Sequence, residues 1–296
     1  MSNEALTVCD LCEWMDAHFA PELQEDWDRV GLICGDRGDP VTRILLAVDP
    51  VEPVVDEALE WGAQLVITHH PLFLRGTSFV STDTAKGRVV HRLIRGGAAL
   101  FNAHTNADSA HDGVAEALAQ AAGLDPQTWR PLQPAPADTS LGIGRVGPVT
   151  PTTVGEVASR LANLLPSSPA GLLVAGESDR PVKTVAVSGG SGQSLLPAAL
   201  DAGADVFVTA DLRHHPALDF LEMDGAPALI MPSHWASEWM WLPRLETALN
   251  LWAGEIGKPL ETKISTVISE PWDAYIPTVA DEETTPDDAG CSSVNY

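Results

Sequence analysis

Residues 43–73 read RILLAVDPVEPVVDEALEWGAQLVITHHPLF. An apolar run at 43–48 is followed by a segment of helical period at 53–62 and a second apolar run at 65–68, with short connections between them. That order reads as a strand–helix–strand unit. The alternation continues outward from there. Further strands are expected at 98–102 (AALFN), 183–188 (KTVAVS), 205–209 (DVFVT) and 227–231 (PALIM), and helices at 84–96, 112–122, 153–164, 193–203, 214–222 and 236–250. Strands this apolar, with little alternation, suit sheets covered on both faces. The expected class is α/β with parallel or mixed sheets.

Residues 125–141 (DPQTWRPLQPAPADTSL) interrupt the pattern with four prolines and small polar residues. They read as a linker between two α/β halves, 1–124 and 142–275. Residues 276–296 carry Asp281, Glu282, Glu283, Asp287 and Asp288 without Lys or Arg, the composition of a disordered tail. The 45% hydrophobic content over 296 residues supports a sizeable core.

Seventeen Lys and Arg face 41 Asp and Glu, a net charge of −24. Holding nucleic acid by its phosphates needs a basic stripe, so no nucleic-acid partner is expected. No apolar stretch is long enough to span a bilayer, and MSNEALTVCDLCEW lacks the basic-then-apolar order of a secretory signal, so a cytoplasmic location is expected. Cys9 and Cys12 form a lone CxxC. It lies in a helical pattern capped by Thr7, with Asp10 three residues on, and no second pair completes a zinc site; no function is assigned to it.

Polar residues gather where the strands end, and in open α/β sheets ligands bind beyond the carboxyl ends. His69 and His70 follow the strand at 65–68. Neighbouring strand residues point to opposite faces, so each imidazole would meet a different ion after Pro71 turns the chain. Asp108, in FNAHTNAD, can bridge two ions about 3.5–4 Å apart, with His104 four residues earlier as a ligand or a supporting group. Asp211, His214 and His215 follow a third strand. His234 and Glu238 are spaced i, i+4, which on a helix puts imidazole and carboxylate on one face.

Each residue has an ordinary reading: a hydrogen-bonded core histidine, a cap for the helix near 112, a solvated helix pair. Convergence at one end of one sheet is what favours metal. GGSG at 189–192 reads as a tight strand-to-helix turn, with anion contact as a minor option; Trp27, Asp28 and Gly31 of WDRVGL could shape a pocket wall, with packing the favoured reading for Trp27.

These motifs resemble the Nif-three-like family of dinuclear-metal, ring-forming proteins often labelled GTP cyclohydrolase 1 type 2. The matching residues are WDRVGL (27–32), THHP (68–71), HTNAD (104–108), SGGSG (188–192), TADLRHH (209–215) and HWASE (234–238). The family usually has Thr-Gly-Asp at 209–211, Asn at 29 and an aromatic residue at 214. The resemblance implies two related three-layer α/β halves with the metal site between them. It implies that His69, His70, Asp108, His234 and Glu238 hold two divalent ions (Zn, Fe or Mn), with Asp108 and Glu238 spanning both. A homohexamer acting on a small-molecule substrate is also implied. Two adjacent cations acidify water from about 15.7 towards roughly 7. With His104 or His215 moving protons, the expected function is hydrolysis of a nucleotide or phosphate-containing small molecule. The alternative is a non-catalytic metal-binding, delivery or ring-forming regulatory protein.

Overall fold

Thr7 opens the first helix as its residues predict. In the computed structural model, which describes residues 5–276, its side chain accepts from Asp10 N–H and the Asp10 carboxylate takes the Thr7 N–H, starting α1 (Val8–His18). The strand–helix–strand unit follows as expected. After an edge strand β1 (Gly31–Cys34) come β2 (Arg43–Ala47), α2 (Glu52–Trp61), β3 (Leu65–Thr68), α3 (Ala85–Arg95) and β4 (Ala99–Asn102). Two helices, α4 (Thr105–Ser109) and α5 (Val114–Ala122), lead towards the second sheet. That part contains β5 (Arg145–Thr153), α6 (Val154–Leu164), β6 (Leu173–Ala175), β7 (Pro181–Ser191), α7 (Leu196–Asp201), β8 (Val206–Ala210), α8 (His214–Leu221) and β9 (Ala228–Met231). Helices α9 (His234–Trp239) and α10 (Leu242–Glu255) and the strand β10 (Glu261–Ile264) complete the described chain.

Two five-stranded sheets result, ordered β10-β2-β3-β4-β1 and β6-β9-β8-β7-β5. Each has a parallel centre and antiparallel edge strands: β1 in the first, β5 and β6 in the second. Apolar layers lie on both faces of each, which is why β2, β3 and β8 read as continuous hydrophobic runs. The fold is α/β with mixed sheets. Among the described residues no helix is long and apolar enough to cross a membrane.

The halves do not divide where the prolines suggested. β10 pairs in parallel with β2, and Leu242, Leu245 and Leu249 of α10 join the first core, so the chain after about 240 belongs to the first sheet. Conversely, α5 packs Leu118, Ala119 and Ala122 into the second core. Its sequence, VAEALAQAA, is small and apolar nearly all round, the pattern of a helix buried between layers. Residues 125–141 are not a free spacer either. Arg130 bridges to Val146, and Gln133–Pro134 pairs with Gly142–Ile143. Apart from Ile276, the acidic tail lies outside the described residues.

Candidate metal centre

β3 ends at Thr68, yet its ladder runs on. His69 N–H donates to the Ala47 carbonyl (3.2 Å) and His70 N–H to the Val48 carbonyl (2.8 Å), so both backbones are held like strand residues. The Thr68 hydroxyl donates to the His70 carbonyl (2.8 Å) and closes the turn before Pro71. His69 is fully buried, and its Nδ1 donates to the Ala103 carbonyl (2.9 Å). A carbonyl can only accept, so the neutral ring carries its hydrogen on Nδ1 and leaves Nε2 as a bare lone pair.

The other three imidazoles repeat that arrangement with carboxylates. His70 Nδ1 meets Asp49 Oδ1 at 2.7 Å, His104 Nδ1 meets Asp28 Oδ1 at 2.9 Å and His234 Nδ1 meets Asp211 Oδ2 at 2.7 Å. Asp28 is itself fully buried, and its Oδ2 accepts from Thr105 N–H (3.1 Å) and Thr105 Oγ1 (2.5 Å). A partner on Nδ1 orients a histidine and makes its Nε2 the ligand atom.

The free ends converge. His70 Nε2 and His234 Nε2, 164 residues apart in sequence, lie 3.2 Å from each other. Glu238 reaches between them: its Oε2 is 3.1 Å from His70 Nε2, and its Oε1 is 3.0 Å from His234 Nε2 and 3.5 Å from His69 Nε2. Asp108 Oδ1 stands 3.7 Å from His69 Nε2. Two groups have the spacing to hold a cation, His69–His70–His104 and His70–His234–Glu238, sharing His70.

Electrostatics and unmet bonding agree with a cation site. Burial lowers the pKa of His70, but the charges of Glu238 and Asp49 outweigh it and push the group up to about 10. Burial is likewise outweighed at His234, where Glu238 and Asp211 push it up to about 11. Glu238, despite its burial, is held well below the usual carboxylate range by the imidazoles of His70, His234 and His69. The cluster therefore favours positive charge, which a divalent ion would supply in place of protons. His69 Nε2 is buried without a hydrogen-bond partner. Buried polar atoms are ordinarily satisfied, so this is an atom a bound ion would use. Imidazole and carboxylate, with no thiolate, suit zinc, iron or manganese.

Of the residues named from sequence, His69, His70, His104, Asp108, His234 and Glu238 come together. His215 does not. It is exposed at the start of α8, in ring contact with His214 and away from the cavity lining, because α8 begins three residues after Asp211 has already turned the chain with φ +54°. Trp27 is corrected as well: rather than packing, it is 54% exposed at the cavity mouth, edge-on to His104 at 5.8 Å.

Asp49 was missed, although this acid lies within two residues of a strand's end, as His69 and His70 do. The role of SGGSG was missed too. It continues β7 rather than forming a simple turn, and Gly190 sits at φ +60°, where a Cβ would overlap Glu238 Oε1 and come within 3.0 Å of His234 Nε2. Glycine is there so that backbone and ligands can approach.

Comparisons with known proteins place the chain in a family. A relative from Streptomyces coelicolor, named GTP cyclohydrolase 1 type 2 homolog, is 46% identical over 265 residues, covering 88% of this chain and 92% of its own. A solved Staphylococcus aureus hypothetical protein superposes with a TM-score of 0.81 at 29% identity, over 92% of this chain and all of its own. A Bacillus cereus protein related to NIF3 shares the fold at 22% identity, with a TM-score of 0.83 over 91% of this chain and 99% of its own. A family model described as Duf34/NIF3 (NGG1p interacting factor 3) matches residues 6–271, and with that match spanning nearly all of the described residues the chain belongs to the Duf34/NIF3 family.

Proposed function

We propose that this chain is a dinuclear metal-dependent hydrolase acting on a small molecule. The observation that carries the reading is a set of four imidazoles, each engaged at Nδ1 from behind, three of which (His69, His70 and His234) bring Nε2 to Glu238 while His104 stands beside His69 and His70. His69 and His104, with Asp108 beside His69, would hold one divalent ion and His234 and Glu238 the other, with His70 giving its single free nitrogen to one of the two. Such a pair, when bound, makes hydroxide available near neutral pH and polarises a substrate oxygen or imine.

The chain's own residues do the rest. Asp28, Asp49 and Asp211 fix the tautomers, so the ligand nitrogens need no reorientation when substrate arrives. Glu25 is the carboxylate that lines the cavity outside the ligand cluster, and it takes the proton-transfer role first given to His215. The cyclohydrolase name of the Streptomyces coelicolor relative supports water addition to a cyclic compound.

One observation favours metal delivery instead. His234 and Asp211 are 32% and 52% exposed, which leaves one side of the centre open for ion exchange. Metal analysis of protein purified without added metal separates these readings when combined with a hydrolysis screen before and after chelation. About two ions per chain with chelator-sensitive turnover is the hydrolase result. Two exchangeable ions without turnover is the delivery result, and one ion or none sinks both. The hexameric ring is part of the proposal, and light scattering checks it.

A further inference from the structure

The walls of the cavity beside the metal ligands narrow the substrate class, given that the centre is catalytic as proposed. The cavity measures about 320 Å³, at the small end for sites that enclose a drug-sized ligand. No Lys or Arg lines it among the described residues. Its charged walls are Glu25, Asp108 and Glu238, and directly behind the imidazoles stand Asp28, Asp49 and Asp211. These carboxylates outnumber the positive charges of two divalent ions, so the loaded centre stays net negative. Sites for polyphosphates collect Arg, Lys or a glycine-rich nest to meet the charge of each phosphate in turn. The glycine-rich wall here, Ser188, Gly189 and Ser191, adjoins Gly190, whose N–H is already given to Ser237 Oγ (2.9 Å), so two metal ions can meet one anionic group and few donors remain for more.

The uncharged walls have a different character. Trp27 offers a half-exposed indole at the mouth, next to the His104 ring. Leu74 and Ile143 line the apolar side, and Gln133, Ser188 and Ser194 bring amide and hydroxyl groups. An indole beside side chains that donate and accept hydrogen bonds suits a flat ring with polar edges: stacking on an aromatic side chain holds any base-like ring, and the polar groups read its rim.

We infer that the substrate is a planar heterocycle of nucleobase or nucleoside kind, uncharged or carrying one anionic group, that stacks on Trp27, and that a nucleoside triphosphate is excluded.

Calorimetry on the metal-loaded protein tests this, with guanosine and adenosine, their monophosphates and their triphosphates as probes at constant ionic strength. Metal content is measured on each sample after titration. Nucleoside or monophosphate is expected to bind at least tenfold tighter than the matching triphosphate. Trp27→Ala is expected to weaken nucleoside binding about tenfold with metal content unchanged, and Trp27→Phe to keep it within threefold. Triphosphate binding tightest sinks the inference. So does failure of every nucleoside and monophosphate to bind at millimolar concentration, or equal affinity in Trp27→Ala. Loss of the metal itself, in contrast, counts against the catalytic centre and not against this choice of substrate.

Discussion

The two sides of the metal centre are built to different standards of rigidity. On the side of the first sheet, His69 and His70 follow β3 directly and His104 stands two residues past β4, backed by the Ala103 carbonyl, the part-buried Asp49 and the fully buried Asp28. On the other side, His234 and Glu238 ride on a six-residue helix, and the orienting Asp211 is 52% exposed. Hydrogen bonds among buried groups cost most when broken, because the orphaned partner cannot turn to water. An exposed pair is screened and replaceable. The first side should therefore couple metal binding to folding, and the second should govern how ions enter and leave.

The largest effect tests the seam between the halves, where Glu116 of α5 and Arg145 of β5 form a buried pair (3.0 Å) and Arg145 also donates to the carbonyls of Gly142, Gly144 and Ala110. Glu116→Ala should cost about 3–5 kcal/mol in urea unfolding. Burial raises the Glu116 pKa, but Asp112 N–H, the Arg145 charge and the His111 and Arg145 hydrogen bonds outweigh it and hold the group below its usual range. A depressed carboxylate contributes its full stability above its unfolded value of about 4.3 and loses it as pH falls through the folded value. Wild type should therefore lose stability below about pH 5, and Glu116→Gln should show a shallower acid limb. An unchanged limb would remove the seam from the account.

Next in size is the pair that compares the two sides. Asp28→Ala strands the Thr105 donors and the His104 Nδ1–H, at about 2–3 kcal/mol. Asp211→Ala should stay within about 1 kcal/mol. Both should weaken metal binding about 10–100-fold. Equal losses of stability would break the comparison.

Gly190→Ala should lower metal affinity by about the same 10–100-fold by pushing on Glu238 and His234. A metal titration at matched stability checks it. The smallest expected effect is Ser269→Ala. The Ser269 hydroxyl donates to Asp49 Oδ2 while Asp49 Oδ1 holds His70, so the segment after β10 is tied to the imidazole at the middle of the cluster. Its loss should weaken metal binding by no more than about tenfold, visible as faster metal transfer to a chelator.

Much of this was legible in the chain itself. The apolar runs at 43–48, 65–68 and 205–209 became buried parallel strands because a strand covered on both faces must be apolar at every position. The clustering side chains were legible as residue types: His69 and His70 directly follow the strand at 65–68, and His104, Asp108 and His234 come within a few residues of strands ending at 102 and 231. Edge strands were not. β5 contains Gly147, Pro148 and Pro151, and β10 reads ETKI; an edge tolerates proline and charge that a sheet centre rejects, so neither shows an apolar run. The partners behind the ligands were equally silent, since Asp28 and His104 are 76 residues apart and Asp211 and His234 are 23 apart. By itself the sequence determined which segments are buried and which side chains can bind a cation, because both follow from local pattern and residue type. Only the tertiary structure decided that His70 and His234 face each other, that Gly190 must lack a side chain and that His215 stands outside. Those are distances between segments, and they are set when the two sheets pack.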